Sequence, residues 1–270
     1  MLYSVSTLKG FTLRSRDGDI GHVKDLYFDD DHWTIRYLVA NTGGWLAQRK
    51  VLISPYALGA VLSETGSVTV DLSRKQIEES PSLETDKPVS RQFEDIYHGH
   101  FGWPMYWSGP YIWGQYPVIE RNPELWTKPA APAPRSDSHL RSTNDVNGHH
   151  VHATDGEIGH VDDFILDDST WAIRYLVVDT RNWWPGKKVL LSPEWIDRVS
   201  WEEREVFVDL DRNAIRDAPE YVSGTLLTRE FETRLHEHYE RPGYWLDGMR
   251  GEDAGRAMSS SSDAITGRSR

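Results

Sequence analysis

The chain repeats itself once, at a constant offset of 138 residues. Asp17-Gly-Asp-Ile-Gly-His-Val-Lys-Asp25 returns as Asp155-Gly-Glu-Ile-Gly-His-Val-Asp-Asp163, and Trp33-Thr-Ile-Arg-Tyr-Leu-Val39 as Trp171-Ala-Ile-Arg-Tyr-Leu-Val177. The register holds through Lys50-Val-Leu-Ile-Ser-Pro55 and Lys188-Val-Leu-Leu-Ser-Pro193, then through Val70-Asp-Leu72 and Val208-Asp-Leu210. It extends to Arg91, Phe93, Glu94, His98, His100, Pro104, Tyr106 and Trp107, matched by Arg229, Phe231, Glu232, His236, His238, Pro242, Tyr244 and Trp245. Roughly 40 of about 100 compared positions agree, and a period this long is a duplicated domain, not a solenoid unit of 20–50 residues. A length of 270 residues fits two domains of ordinary size.

The repeat divides the chain. Residues 1–117 form the first unit with its terminal helix and aromatic segment, and residues 147–248 the second unit with its helix. Residues 118–146 read as a linker, because Lys128-Pro-Ala-Ala-Pro-Ala-Pro-Arg-Ser-Asp-Ser138 favours an extended polyproline-II path. Residues 249–270, with the serine run Ser259 to Ser262, predict a disordered tail.

Within a unit, Trp33, Ile35, Tyr37 and Val39 alternate with Thr34, Arg36, Leu38 and Ala40, the two-residue period of a strand. Val23 to Phe28 predicts a preceding strand, joined through Asp29-Asp-Asp-His32 as a hairpin, and Lys50 to Ile53 and Ser67 to Leu72 supply two more. Short strands at close spacing predict a small antiparallel barrel. Helix is expected only late in each unit, after Ser90 and Thr228, where Phe93, Tyr97, Phe101 and Phe231, Leu235, Tyr239 recur every four residues.

Composition removes several chemistries. There is no cysteine, so thiolate catalysis and thiolate metal sites are excluded. A net charge of −12 opposes a broad nucleic-acid footprint. No uninterrupted apolar run of membrane-spanning length occurs, and Met1 to Phe11 lacks the apolar core of a secretory signal, so the expected location is cytoplasmic.

Trp171-Ala-Ile-Arg-Tyr-Leu-Val-Val-Asp-Thr180 followed by Trp184-Pro-Gly-Lys-Lys-Val-Leu-Leu-Ser-Pro193 resembles the PRC-barrel family, as does Asp155 to Asp163. The first copy matches in the same order through Asp17 to Asp25, Ile35 to Val39, Gly43-Gly-Trp45 and Arg49 to Pro55. The resemblance implies a mainly β chain with two small antiparallel PRC-type β-barrels in tandem, each followed by short helices and an aromatic segment. The family includes the cytoplasmic domain of the photosynthetic reaction-centre H subunit and the C-terminal domain of a ribosome-maturation factor, both of which imply binding without covalent chemistry. The resemblance is not expected to extend to the H subunit's anchoring helix or to the maturation factor's N-terminal domain, since no matching segment occurs in these 270 residues. Fold analogy alone does not assign a function.

The residues with chemical potential read mostly as structural. His22 and His160 sit at strand entries, where Gly21 and Gly159 predict a bulge or a close backbone approach. His149, His150 and His152 would add ligands to His160, but their counterparts Phe11, Thr12 and Arg14 carry no imidazole, so neither a metal nor a cofactor is expected. Asp209-x-Asp211-x-Asn213 resembles a calcium loop but carries Ala214 where glycine is required, and Asp211 is expected to cap a helix. Asp29-Asp30 and Asp167-Asp168 are expected at solvated hairpin tips, and mid-strand Arg36 and Arg174 are expected to be structural, paired with Asp25 and Asp163.

Tyr97 to Pro117 holds eight aromatic residues among glycines and prolines and no lysine or arginine, which disfavours stacking on nucleic acid. Such rings suit either internal packing or a protein interface. The expected contact residues are Trp103, Tyr106, Trp107, Tyr111 and Trp113, with Trp45, Trp183 and Trp184 on loops. The sequence therefore points to a non-enzymatic interaction or adaptor module with a protein partner. The alternatives are a peripheral component of a membrane-bound photosynthetic or electron-transfer assembly, and a ribosome-maturation-type docking factor.

Overall fold

A computed structural model describes residues 1–44, 46, 49–82, 89–107, 119, 139–180 and 187–246. The first half of the chain contributes strands β1 (Leu2–Ser4), β2 (Thr12–Ser15), β3 (Gly18–Asp29), β4 (Thr34–Asn41), β5 (Lys50–Ile53), β6 (Leu58–Leu62) and β7 (Ser67–Val70). Its helices are α1 (Val5–Leu8), α2 (Arg74–Glu78) and α3 (Arg91–Phe101). The second half repeats the series with β8 (Leu140–Ser142), α4 (Thr143–Val146), β9 (His150–Ala153), β10 (Gly156–Asp167), β11 (Ile173–Asp179), β12 (Lys188–Leu191), β13 (Ile196–Ser200), β14 (Glu205–Val208), α5 (Arg212–Asp217) and α6 (Arg229–His238).

The chain is mainly β, in two seven-stranded sheets, β5-β4-β3-β2-β7-β6 and β12-β11-β10-β9-β14-β13, each with one further strand. Two expectations need correction. The end strands β5 and β6, like β12 and β13, are not paired to each other, so neither sheet closes into a barrel. Nor are the sheets wholly antiparallel, because β2 runs parallel to β7 and β9 parallel to β14.

The extra strand in each sheet comes from the other unit. β1 pairs with β10, setting Leu2 opposite Asp167 and Ser4 opposite Ile165, while β8 pairs with β3, setting Leu140 opposite Asp29 and Ser142 opposite Tyr27. The two N-terminal arms are thus exchanged within one chain. Residues 140–146, which the sequence places in the linker, form a strand and a helical turn.

Side-chain acceptors seat the exchanged arms. Ser4 and Ser142 N-cap the turns α1 and α4. Asp25 accepts the hydroxyls of Ser142 at 2.6 Å and Thr143 at 2.9 Å, and Asp163 accepts the Ser6 amide at 3.1 Å and the Ser6 hydroxyl. Between the arms the two central hairpins meet. The Ile35 amide donates to the Trp171 carbonyl at 2.8 Å and the Ile173 amide to the Trp33 carbonyl at 2.7 Å. Trp33 and Trp171 both adopt left-handed φ values, +52° and +59°, a conformation that costs a non-glycine residue about 1–2 kcal/mol. Their bulk is buried in the junction, where Trp33 stacks on Phe28 and Phe28 meets Phe164 across the units. A single apolar cluster runs through both sheets, and a smaller one, Tyr37, Val39, Leu52, Val89 and Tyr97, lies between β4 and α3.

Candidate functional site

Helix α3 starts at Ser90, whose hydroxyl caps the Phe93 amide, and ends at Gly102 in the left-handed conformation. This start turns Glu94, Tyr97 and His98 inward, with Phe93 and Phe101 half-buried at the edges of that face. Glu94 and His98 then meet the Tyr37 hydroxyl of β4, which lies 3.0 Å from Glu94 Oε1 and 3.0 Å from His98 Nε2. The Tyr106 hydroxyl donates to Glu94 Oε1 at 2.6 Å, and Arg91 Nη1 stands 3.0 Å from Glu94 Oε2. Arg36 and Arg91 lie over the Tyr106 ring, at 4.1 and 5.3 Å from its centroid, and Arg91 also covers Trp107 at 4.1 Å.

The second unit rebuilds the same constellation. Tyr175 lies 2.9 Å from Glu232 Oε1 and 3.0 Å from His236 Nε2, Tyr244 donates to Glu232 at 2.9 Å, and Arg229 pairs with Glu232 at 3.1 Å. Arg174 covers Tyr244 at 4.0 Å and Arg229 covers Trp245 at 4.2 Å. Sequence reasoning aligned these residues without recognising them as one cluster. The repeat register was the available signal, since every member is matched at the same offset.

Burial sets the protonation of the cluster. It pushes the Glu94 carboxyl up to about 7, against the opposing pull of Arg91, Tyr106 and Tyr37, and it pulls the His98 imidazole down to about 4. His98 Nδ1 lies 3.0 Å from the Pro104 carbonyl, which can only accept, so Nδ1 carries the hydrogen and Nε2 is an acceptor. The Tyr37 hydroxyl then has one hydrogen for two acceptors, and a proton on Glu94 satisfies both contacts. Burial also lowers His236. A carboxyl, an imidazole and phenols are acid–base groups by type, yet here they bond to each other, and the geometry describes a polar latch between helix and sheet.

Other residues depart from expectation. Arg36 pairs with Asp29 and Arg174 with Asp167 at 3.3 Å; Asp25 and Asp163 instead hold the arms. Asp29 and Asp30 are not solvated tips. Burial raises the Asp29 carboxyl, but Arg36 and His32 outweigh that and hold it below its ordinary value. Arg141 Nε contacts Asp30 at 2.8 Å, so the arriving arm covers that tip too. A Cβ on Gly21 would stand 2.0 Å from the Asn41 carbonyl oxygen, and one on Gly159 2.0 Å from that of Asp179. Asp211 caps α5 by accepting the Ala214 amide at 2.9 Å.

Of the expected contact residues, Tyr106 needs correction: its ring is buried and its hydroxyl is committed to Glu94, so it packs within its own unit. Trp103 and Trp107 are half-buried, Trp103 stacking on Phe101 at 4.3 Å and on Tyr56 at 6.2 Å. Trp45, Tyr111, Trp113, Trp183 and Trp184 lie outside the described residues, as do the proline run and residues 247–270.

Among the described residues, two groups bring three ligand atoms of metal-binding type within 4.8 Å of one another: Asp30, Asp31 and His139, and His160, Asp162 and Asp179. No helix among them is long and apolar enough to cross a membrane. A search of curated proteins finds no match. The profile of the PRC-barrel domain, by contrast, matches residues 1–77 and 141–214, one span in each sheet-forming unit. With more than half of the chain matched, and matched once per repeat, this chain belongs to the PRC-barrel domain family as a tandem member.

Proposed function

We propose that the protein is a non-enzymatic adaptor of the cytoplasm, presenting two related surfaces, one per PRC-barrel unit, to a protein partner. The reciprocal exchange of β1 and β8 carries this reading. It joins two copies of one binding module into a single body with a fixed spacing, the condition under which a partner that spans both gains affinity without new contacts. The family is generally non-catalytic, and the acid–base groups of both clusters are occupied in latching helix to sheet. The half-buried Trp103 and Trp107, on the outer rim of the first cluster, are the contact residues this reading favours.

Affinity capture from the source cell with the full chain as bait, compared with a Trp103→Ser/Trp107→Ser variant of unchanged melting midpoint, tests this. Loss of a specific partner supports the adaptor reading. An identical partner set from both baits removes the proposed surface, and recovery of the chain in the membrane fraction until salt is added favours a peripheral assembly component.

A further inference from the structure

The strand entry of the second unit carries a cluster that neither the latch nor the adaptor reading uses. His160 of β10 stands directly opposite Asp179 of β11 in the antiparallel register. The register shifts between Val161 and Asp163, so Asp162 is the extra residue of a bulge, and bulges re-aim side chains. The ligand atoms of His160, Asp162 and Asp179 lie within 4.8 Å of one another, with Asp179 buried and the other two half-buried. We propose that these three side chains hold one divalent transition-metal ion of the zinc class, with water completing the shell.

The first unit is an internal control. It forms the same pair and the same bulge, at the same places, with His22, Lys24 and Asn41. The strands therefore need neither carboxylate. Asn41 Oδ1 accepts the Gly43 amide at 3.2 Å, so that position uses a side-chain oxygen and not a charge. In the second unit two carboxylates converge on an imidazole, an arrangement whose mutual repulsion is relieved by a cation. Lys188 supplies part of one, with Nζ 2.7 Å from Asp162 Oδ2. It also reaches the Ser223 hydroxyl at 3.2 Å, which leaves the ammonium a second partner when a metal takes the carboxylate. One imidazole nitrogen with two carboxylate oxygens is a donor set suited to zinc, iron or manganese and leaves a position open. The Asp30, Asp31 and His139 group is the poorer candidate, because Asp31 is exposed, whereas Asp179 is buried.

Titration of the full chain, without a histidine tag, with zinc chloride by calorimetry, and with cobalt(II) by visible absorption, tests the site. The expected result is one ion per chain, because the first unit lacks the carboxylates. Asp162→Lys and Asp179→Asn install the residues that the first unit already accommodates, so folding is retained, and each is expected to weaken binding by at least about tenfold. His160→Gln is expected to remove the cobalt band. Lys188→Gln, which deletes the competing ammonium, is expected to tighten binding severalfold. His150→Gln/His152→Gln is expected to leave it unchanged. Absence of binding by the wild-type chain, two ions per chain, or an affinity that follows His150 and His152 in place of Asp162 and Asp179 would each overturn the proposal.

Discussion

The two units carry the same latch in different surroundings. In the first, the Arg36 and Asp29 side chains are 0% and 5% exposed; in the second, Arg174 and Asp167 are 14% and 15% exposed. The arginine that answers the buried glutamate shows the same trend, with Arg91 at 15% and Arg229 at 50%. The paired residues are the same in both copies and sit at equivalent strand positions, so the difference in exposure bears on what solvent does to a charge pair. A deeply buried pair must be complete, because a lone charge left there is unsolvated.

The sharpest way to break this comparison is to remove one arginine from each copy. Arg36→Ala leaves Asp29 in a dry site with His32 as its remaining partner and is expected to cost about 3 kcal/mol of unfolding free energy. Arg174→Ala leaves Asp167 with partial access to water and the Ser169 hydroxyl at 2.7 Å, and is expected to cost roughly half as much. Urea denaturation at neutral pH measures both. Equal losses would mean that burial does not separate the two units.

The next test is titration. A Glu94 carboxyl raised to about 7 from 4.5 binds its proton more tightly in the folded state than in the unfolded one. Its contribution to stability is therefore complete below pH 4.5 and is lost as pH rises toward 7, by on the order of 3 kcal/mol. His98 works from the other side: lowered to about 4 from 6.5, it favours folding above pH 6.5 and withdraws that support as pH falls toward 4. Glu94→Gln is expected to flatten the loss of stability between pH 5 and 8, and His98→Gln to flatten the loss between pH 6.5 and 4. Melting curves across that range decide, and unaltered slopes would show that the protons of the cluster do not couple to folding.

Much of the strand pattern was legible because β3, β4 and their counterparts keep the two-residue period, and the duplication doubled every signal. The partners of Arg36 were not. Between Tyr27 and Phe28 the register of β3 against β4 shifts, leaving Arg36 as the extra residue of β4 and within reach of Asp29, while Asp25 holds the arm, and nothing local in Ile35-Arg-Tyr37 announces a bulge. Nor is arm exchange readable from propensity, since Leu2–Ser4 forms the same strand whether it pairs at home or away. The latch escaped for a related reason: Tyr37 meets Glu94 and His98 across 57 and 61 residues, a distance over which spacing rules say nothing. Open sheets in place of closed barrels follow from the same physics, because strand pattern fixes faces and leaves closure to long-range pairing.

The smallest expected effect probes what joins the two units. Asp25 and Asp163 each accept from the arm of the other unit, and replacing either by alanine removes a cap-type contact worth about 1–2 kcal/mol. Asp25→Ala is expected at the upper end, since that carboxylate is buried, and Asp163→Ala at the lower. Their combination tests more than their sum. Each arm belongs to the sequence of one unit and the sheet of the other, so unfolding of either unit strips a strand from its neighbour, and the wild-type chain is expected to melt in one transition. With both aspartates gone the arms lose their carboxylate anchors and keep their short ladders and the Arg141 contact to Asp30, and the two units, differing in burial as they do, are expected to melt at separate temperatures by calorimetry. A single sharp transition in the double variant would place the coupling elsewhere, in the Trp33 and Trp171 contacts at the hairpin junction.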